Sequence, residues 1–282
     1  MKLSRRSGQT GRARMWTIAR ADLRQLRQSP DFWGPMLAMA ALFFVLIPTG
    51  LLFGITRLGN VPTIQKVSST LDLLPAKAHD SLPQGVEAGD RTSYALAVYL
   101  FAPLAVIVPL TISTAVGANT LVGERERGTG DFLAHSPASE REIYFGKLIA
   151  SLLPGYVTTL VGFSIYSLAV NLIIGPRVGG WFFPTPDWLV LMLWVIPPFL
   201  AITLSVVLRL SARVKSAAAA QQASGLVSLP LIVISYAQSS GALWTAGSAG
   251  FVVGALAWAV AIVGLVRGAR AVTRPRLLGV DV

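Results

Sequence analysis

Six long apolar blocks, separated by short polar segments, constrain the fold of this chain more than any other feature of its sequence. Crossing the hydrocarbon core takes about 20 residues of helix, and each block reaches roughly that length. Charged residues make up only 13% of the chain, against about 25% in soluble domains. Barrel strands would appear as short alternating segments, and none is present. We therefore predict an all-α polytopic membrane protein with six transmembrane helices, at residues 32–54, 94–118, 144–174, 188–208, 222–239 and 247–266.

Lysine and arginine are unevenly distributed between the connecting segments. Segments 1–31, 119–147, 209–221 and 267–282 hold 19 of the 24 basic residues, and they fall on one side of the predicted membrane. The positive-inside rule makes that side cytoplasmic and places both termini there. The net charge of +11 is thereby explained as a topology signal, with added contacts to anionic lipid headgroups. No nucleic-acid partner is expected.

The chain divides into a transmembrane domain, residues 32–266, and two cytoplasmic basic tails, residues 1–31 and 267–282. The first tail contains an amphipathic helix over residues 14–28. Its apolar face carries Trp16, Ala19, Leu23 and Leu26, and Arg20, Arg24 and Arg27 lie opposite. A basic helix with a tryptophan on its apolar side is typical of the membrane interface. The alternative is an ordinary helix packed against other protein.

Aromatic residues cluster around the second outside loop, at Trp181, Phe182, Phe183 and Trp188. Tryptophan and other aromatic side chains collect at membrane interfaces. We expect these four to be interfacial anchors.

Chemically reactive residues are scarce. Lys147 is the only ionisable residue within the six predicted spans, whereas ion-coupled carriers usually need buried ionisable groups. Cysteine is absent, and His79 and His135 fall on opposite sides of the membrane. The sequence has neither H-E-x-x-H nor G-x-S-x-G, and Gly146-Lys147 is followed by Leu148 instead of the Ser or Thr of a P-loop. We assign no catalytic, cofactor-binding or metal-binding residue, and if ATP powers this protein another chain binds it.

The segment between the second and third spans, residues 121–147, is the most informative one. It begins as a polar extension of the second helix, followed by a turn at Gly128-Thr129 and a short amphipathic stretch at 130–135. Ser139 is then the predicted N-cap of a helix whose first turn contains Glu140 and Glu142. The pattern predicts a short cytoplasmic helix with a docking surface for a soluble partner. The alternative from charge content alone is a solvated loop.

The order of residues in this segment resembles a known family. Glu124-Arg-Glu-Arg-Gly-Thr129, then Ser136-Pro137-Ala-Ser139, then Gly146-Lys147-Leu148 closely resembles the signature of ATP-binding-cassette (ABC) transporter permeases of the type 2 exporter family. Gly130-Asp131 departs from that signature, because the family more often has an apolar residue followed by Glu or another polar residue. The amphipathic first helix and the six spans extend the resemblance over nearly the whole chain.

The resemblance implies roles for particular residues. The short helix would be a coupling helix, and the proposed ATPase-coupling and docking residues are Glu124, Arg125, Glu126, Arg127, Gly128, Thr129, Phe132, Leu133 and Ala134. The second and fifth spans would line the substrate path, with polar candidates Thr111, Ser113, Thr114, Ser224, Ser228 and Ser235. For each of these hydroxyls, a bond to its own helix backbone is the alternative.

The resemblance also implies partners. Two copies of a cytoplasmic ABC ATPase subunit would carry ATP and magnesium, and this chain, which is not itself an enzyme, would carry no cofactor. A second permease copy would complete a homodimer or a close heterodimer in a bacterial inner membrane. The apolar path suits export of a lipophilic drug, lipid or hydrophobic peptide. Two alternatives remain open here: an ion-coupled carrier or channel, active under a gradient alone, and a non-transporting anchor or assembly factor without an ATPase.

Overall fold

The computed structural model describes residues 11–58, 61–71, 83–126, 135–211 and 249–270, together with the isolated residues 128, 133, 222, 229, 232, 233 and 273. These described residues form helices and turns, with no strand among them. Five of the helices are long and apolar enough to cross a membrane: Trp33–Arg57, Ala88–Thr120, Glu140–Ile173, Pro186–Ser211 and Ala249–Ala269. The predicted fold class, an all-α polytopic membrane protein, is confirmed. The predicted fifth span, 222–239, lies outside the described residues apart from four positions, so the number six stays a prediction.

Eight helices are described. They are α1 (Gly11–Gln28), α2 (Pro30–Ala41, Leu42–Leu46 and Ile47–Arg57), α3 (Pro62–Thr70), α4 (Ala88–Ala95, Leu96–Leu100 and Ala102–Glu126), α5 (Glu140–Ile173), α6 (Gly175–Val178), α7 (Pro186–Val190, Leu191–Val195 and Ile196–Ser211) and α8 (Ala249–Ala269). The second segment of α2, of α4 and of α7 is π-helical.

Each π-helical segment lies just before a proline. Leu42–Leu46 precedes Pro48, Leu96–Leu100 precedes Pro103, and Leu191–Val195 precedes the pair Pro197-Pro198. Proline has no N–H to donate, and its ring collides with the carbonyl four residues earlier. Widening the preceding turn relieves that collision, because π-helical hydrogen bonds span five residues instead of four.

Aromatic side chains bond the carbonyls of two of these π-helical segments. Tyr166 Oη donates to Ala97 O at 2.7 Å, Trp188 Nε1 donates to Val98 O at 2.8 Å, and Tyr156 Oη donates to Met192 O at 2.9 Å. A buried carbonyl without a partner is costly in an apolar medium. These three bonds therefore join α4, α5 and α7 at positions where the proline-containing helices depart from α-helical geometry.

The expectation that the aromatic cluster anchors the protein at the interface is wrong for two of its members. Trp188 is 1% exposed and Phe183 is 4% exposed. Their rings pack at 5.2 Å from each other, and Trp188 stacks on Phe163 at 5.4 Å. Trp181, by contrast, is 72% exposed. Apolarity alone did not reveal which rings point inward.

The bundle is built around α4 and α7, whose apolar segments are the most buried, while α2 and α8 are peripheral. The large exposed side chains of α5 form a stripe, Val157, Val161, Ile165, Leu168 and Leu172, spaced as on one helix face. An apolar stripe of this kind is expected on a lipid-facing helix. At one end of the bundle Arg177 bonds Asp90 at 3.2 Å and Thr56 O at 3.3 Å. We call the other end, where α1 packs, the α1 end.

Candidate coupling site at the α1 end

The connection between α4 and α5 has two fixed ends. Helix α4 stops at Glu126, and Gly128 follows with a φ of 70°, the left-handed conformation in which glycine commonly ends helices. Ser139 begins α5 through a capping box: its Oγ accepts from the Glu142 N–H at 3.3 Å, and its own N–H donates to Glu142 Oε2 at 2.8 Å. The predicted N-cap at Ser139 is thus confirmed.

A buried apolar cluster joins this connection to the bundle. Ala138 is 5% exposed, and Leu133 is half-buried against the same cluster. We call this the loop cluster; its buried members are Ala138, Ile143, Tyr144, Leu148, Leu204, Leu208 and Ala269, and Ile18, Leu133, Phe145, Leu152 and Leu265 pack around them. The cluster thus draws on α1, α5, α7, α8 and the connection itself. Close apolar packing of this kind transmits displacement from one element to the next.

Helix α1 is held against α5 by an ion pair whose lysine is buried and whose aspartate is partly exposed. Lys147 is 1% exposed, and its Nζ lies 3.0 Å from both carboxylate oxygens of Asp22. Beside this pair the two helices approach closely at Gly146, where an added Cβ would come 2.9 Å from Ile18 Cβ and from Met15 O. A larger residue at position 146 would therefore push α1 away from α5.

Helix α1 also contacts the connection itself. Arg14 Nη1 donates to Pro137 O at 3.0 Å and lies 3.8 Å from Glu142 Oε2. Within the connection, Ser136 Oγ donates to Leu133 O at 2.8 Å. Since α1 bonds both the connection and α5, these three parts move together or the bonds break. The expected amphipathic helix is present. Its Ala19 face packs on protein, as in the alternative given above, whereas Trp16 is 51% exposed.

Most of the predicted coupling residues lie at the edge of the described structure or outside it. The backbone of Glu124, Arg125 and Glu126 forms the end of α4, and their side chains are not described. Gly128 is exposed and Leu133 is half-buried. Arg127, Thr129, Phe132 and Ala134 fall outside the described residues. Their coupling and docking roles stay predictions.

The structure places three of the six predicted path residues. Thr111 Oγ1 donates to Ile107 O at 2.9 Å and Thr114 Oγ1 donates to Leu110 O at 2.7 Å, which is the backbone-bonded alternative. Ser113 is fully buried against Gly155, and its hydroxyl has no partner among the described residues. Only Thr111 of these three is exposed. Ser224, Ser228 and Ser235 lie outside the described residues.

Sequence reasoning missed Asp22, and it named Gly146 only as part of the family signature, without its close contact with α1. A signal for Asp22 existed, because a lone lysine inside a predicted span needs a countercharge. The position of that countercharge, 125 residues away in the chain, had no local signature. Among the described residues there is no group of three or more His, Asp or Glu side chains placed to hold a metal ion.

A family comparison decides what kind of protein presents this arrangement. Residues 16–249 match the family described as ABC-2 family transporter protein. The chain belongs to the ABC-2 transporter family. It is therefore a multi-pass membrane permease of an ABC transporter, and its family works with an ABC ATPase subunit. No curated protein matches the chain significantly.

The match covers α1 from Trp16 onward, α2 through α7, the connection between α4 and α5, and the predicted fifth span. It includes every residue of the loop cluster except Leu265 and Ala269. Family membership favours the ABC permease over the two functional alternatives given above, an ion-coupled carrier or channel and a non-transporting anchor or assembly factor.

Proposed function

We propose that this ABC-2 permease exports a lipophilic substrate from the cytoplasm of a bacterial cell, driven by ATP hydrolysed on separate cytoplasmic ATPase subunits. Two copies of the permease pair around the substrate path, and each binds one ATPase through its α4–α5 connection. The observation that carries the proposal is the loop cluster, because it ties that connection to α1, α5, α7 and α8 at once.

Coupling requires that the ATPase stabilise one conformation of the permease over another. Closure of the ATPase dimer on ATP displaces the docked connection, and the Glu124–Arg127 run exchanges partners between the two conformations. The displacement passes directly to α4 and, through Leu133 and Ala138, to the loop cluster. The Asp22–Lys147 pair keeps α1 moving with α5. In this account the unit that moves is the whole α1 end.

The proposed path follows the accessible face of α4. Between Leu100 and Thr120, the residues that are not fully buried form a single stripe, spaced three or four apart: Leu100, Leu104, Ile107, Thr111, Ala115 and Asn119. Thr111 Oγ1 and Asn119 Nδ2 donate to the carbonyls of Ile107 and Ala115 on their own helix. The stripe therefore presents an apolar, uncharged surface, which favours a lipophilic solute over a charged one.

The test is ATP turnover by the permease–ATPase complex in proteoliposomes. Replacing Glu124 and Glu126 together with alanine should lower vanadate-sensitive turnover about tenfold, because the conformational exchange loses its charged partners. Membrane insertion and ATPase binding should persist, because the apolar docking residues remain. Stimulation of turnover by uncharged lipophilic dyes, but not by charged solutes, would support the substrate class.

Glu87→Ala is the matched control. Glu87 is exposed and precedes α4 at the opposite end of the bundle, so the same chemical change there should leave turnover as in the native chain. Native turnover in the Glu124/Glu126 variant would remove the coupling role from this segment.

A further inference from the structure

A groove of about 660 Å³ lies at the α1 end, between α1, the beginning of α2 and the middle of α5. Its size is within the ~300–1,000 Å³ typical of small-molecule sites. Leu26 of α1, Trp33 and Leu37 of α2, and Pro154 and Val157 of α5 line it. The proline ring has no N–H to offer, and the surface of the groove is mainly apolar. Such a groove suits a hydrocarbon chain better than a polar solute.

The groove opens toward the lipid. Leu37 is 52% exposed and Val157 is 50% exposed, and Val157 begins the apolar stripe of α5 that faces outward. Trp33, at 41% exposure, lies near the start of the first span, the depth at which tryptophan marks the membrane interface. An occupant therefore enters from the bilayer, with its polar end at the interface.

One arginine lines this groove, and two more line the neighbouring hollow along α1. Arg27 lines the groove itself, and Arg20 and Arg24 continue from it along the exposed side of α1, around a second hollow of about 390 Å³. No described carboxylate pairs with any of the three, since Asp22, the acidic residue of α1, is bound to Lys147. Arginine recognises phosphate groups especially well, through its planar fork of donors.

We propose that this groove is a specific site for an anionic phospholipid, with one acyl chain against Trp33, Leu37 and Val157 and the phosphate at Arg27 and Arg24. The charge complementarity selects an anionic over a zwitterionic headgroup. The apolar depth excludes a free anion. Helix α1 bonds both α5 and the α4–α5 connection. A lipid that bridges α1 to α2 and α5 would therefore restrain the α1 end, which is the unit proposed to move. The site itself depends only on the chain spanning a membrane, and not on the proposed transport function.

The test uses quenching of Trp33 fluorescence by brominated-chain phosphatidylglycerol and brominated-chain phosphatidylcholine, with the full chain in vesicles. The Trp33→Phe variant gives the background from the other tryptophans. Phosphatidylglycerol should bind about tenfold or more tightly than phosphatidylcholine. Arg27→Gln should lower that preference about fivefold, as expected for one arginine near a membrane surface. Replacing Arg20, Arg24 and Arg27 together should bring the two lipids to parity.

Two matched controls separate the site from general surface effects. Arg12→Gln removes an exposed arginine from the same helix away from the groove, and should leave the preference unchanged. Val157→Phe should fill the groove and abolish specific quenching, whereas Val161→Phe, one turn further along the lipid-facing stripe, should not. Inorganic phosphate should not displace the lipid.

Equal affinity for the two lipids, or an equal loss in Arg12→Gln and Arg27→Gln, would overturn the proposal in favour of diffuse electrostatic attraction. Displacement by inorganic phosphate alone would also overturn it, because the site would then recognise an anion without its chain.

Discussion

Lys147 shows how one residue links the membrane fold to the coupling site. It lies in a long apolar helix and is 1% exposed, so its ammonium group is tolerable only with a countercharge. Asp22 supplies that charge from α1, 125 residues earlier in the chain, with both carboxylate oxygens 3.0 Å from Lys147 Nζ. The pair thus makes the position of α1 a condition for burying Lys147.

Removing only the negative partner should be more damaging than removing both charges. Asp22→Asn removes the negative charge that lies 3.0 Å from the buried ammonium group of Lys147, and should lower the free energy of unfolding by about 3 kcal/mol. The double variant Asp22→Asn/Lys147→Met removes both charges and should recover most of that loss. Denaturation in detergent micelles, followed by near-UV circular dichroism, measures both.

Arg14→Gln is the comparison for this pair, because Arg14 lies on the same helix and 3.8 Å from Glu142, with a side chain 36% exposed. Loss of this exposed pair should cost about 1 kcal/mol or less. If Asp22→Asn lowered the unfolding free energy no more than Arg14→Gln does, the packing of α1 on α5 would not depend on the Asp22–Lys147 pair.

The helices themselves show which local signals reach the final structure. Hydropathy located most spans because the length needed to cross a bilayer is a local property of the sequence. It missed the start of α4, predicted at residue 94 and observed at Ala88. There Asp90 is buried against Arg177. A polar residue that is paired across the bundle still lowers the mean hydropathy of its sequence window, so it resembles a loop residue. Trp188 was wrongly predicted to be an anchor for the same reason, because the residues that bury it are not its sequence neighbours.

The coupling site was predictable in part for the same reason. Ser139 and Glu142 are three residues apart, so their capping box is visible in the sequence. The partners of Lys147, Gly146 and Leu133 are distant in the chain, and only the folded arrangement reveals them. The positions of the prolines are visible in the sequence, but the π-helical segments beside them are held in part by donors from neighbouring helices.

Loss of one such donor should destabilise the bundle measurably. Tyr166→Phe keeps the ring packed between Phe101 and Phe183 but leaves Ala97 O without its bond, in a fully buried position. The unfolding free energy should fall by about 1–3 kcal/mol. Thermal unfolding of the detergent-solubilised protein tests this.

Tyr94→Phe is the control, since the Tyr94 ring packs on Phe182 at 4.7 Å while its hydroxyl bonds no described residue. This variant should unfold as the native chain does. Equal effects of the two substitutions would mean that the hydroxyl bond to the π-helical segment contributes nothing.

At the scale of the whole molecule, the accessible stripe of α4 is where a second copy would face the first. The chain contains no cysteine, so a single introduced thiol reports one position. Thr111→Cys should give covalent dimers with a short bis-maleimide in native membranes, because Thr111 lies on that stripe. Ile165→Cys, on the lipid-facing stripe of α5, should remain monomeric. Dimers from Ile165→Cys but not from Thr111→Cys would place the permease contact on another face.

Site-specific cross-linking from the α4–α5 connection tests whether that connection binds a separate ATPase. A photoactivatable maleimide on Phe132→Cys, with the chain purified gently from its native membrane, identifies the neighbour by mass spectrometry. The same label on Glu87→Cys, at the opposite end of the bundle, is the control. We expect a stoichiometric P-loop ATPase that cross-links from position 132 and not from position 87. A preparation without an ATPase, or equal cross-linking from both positions, would contradict it.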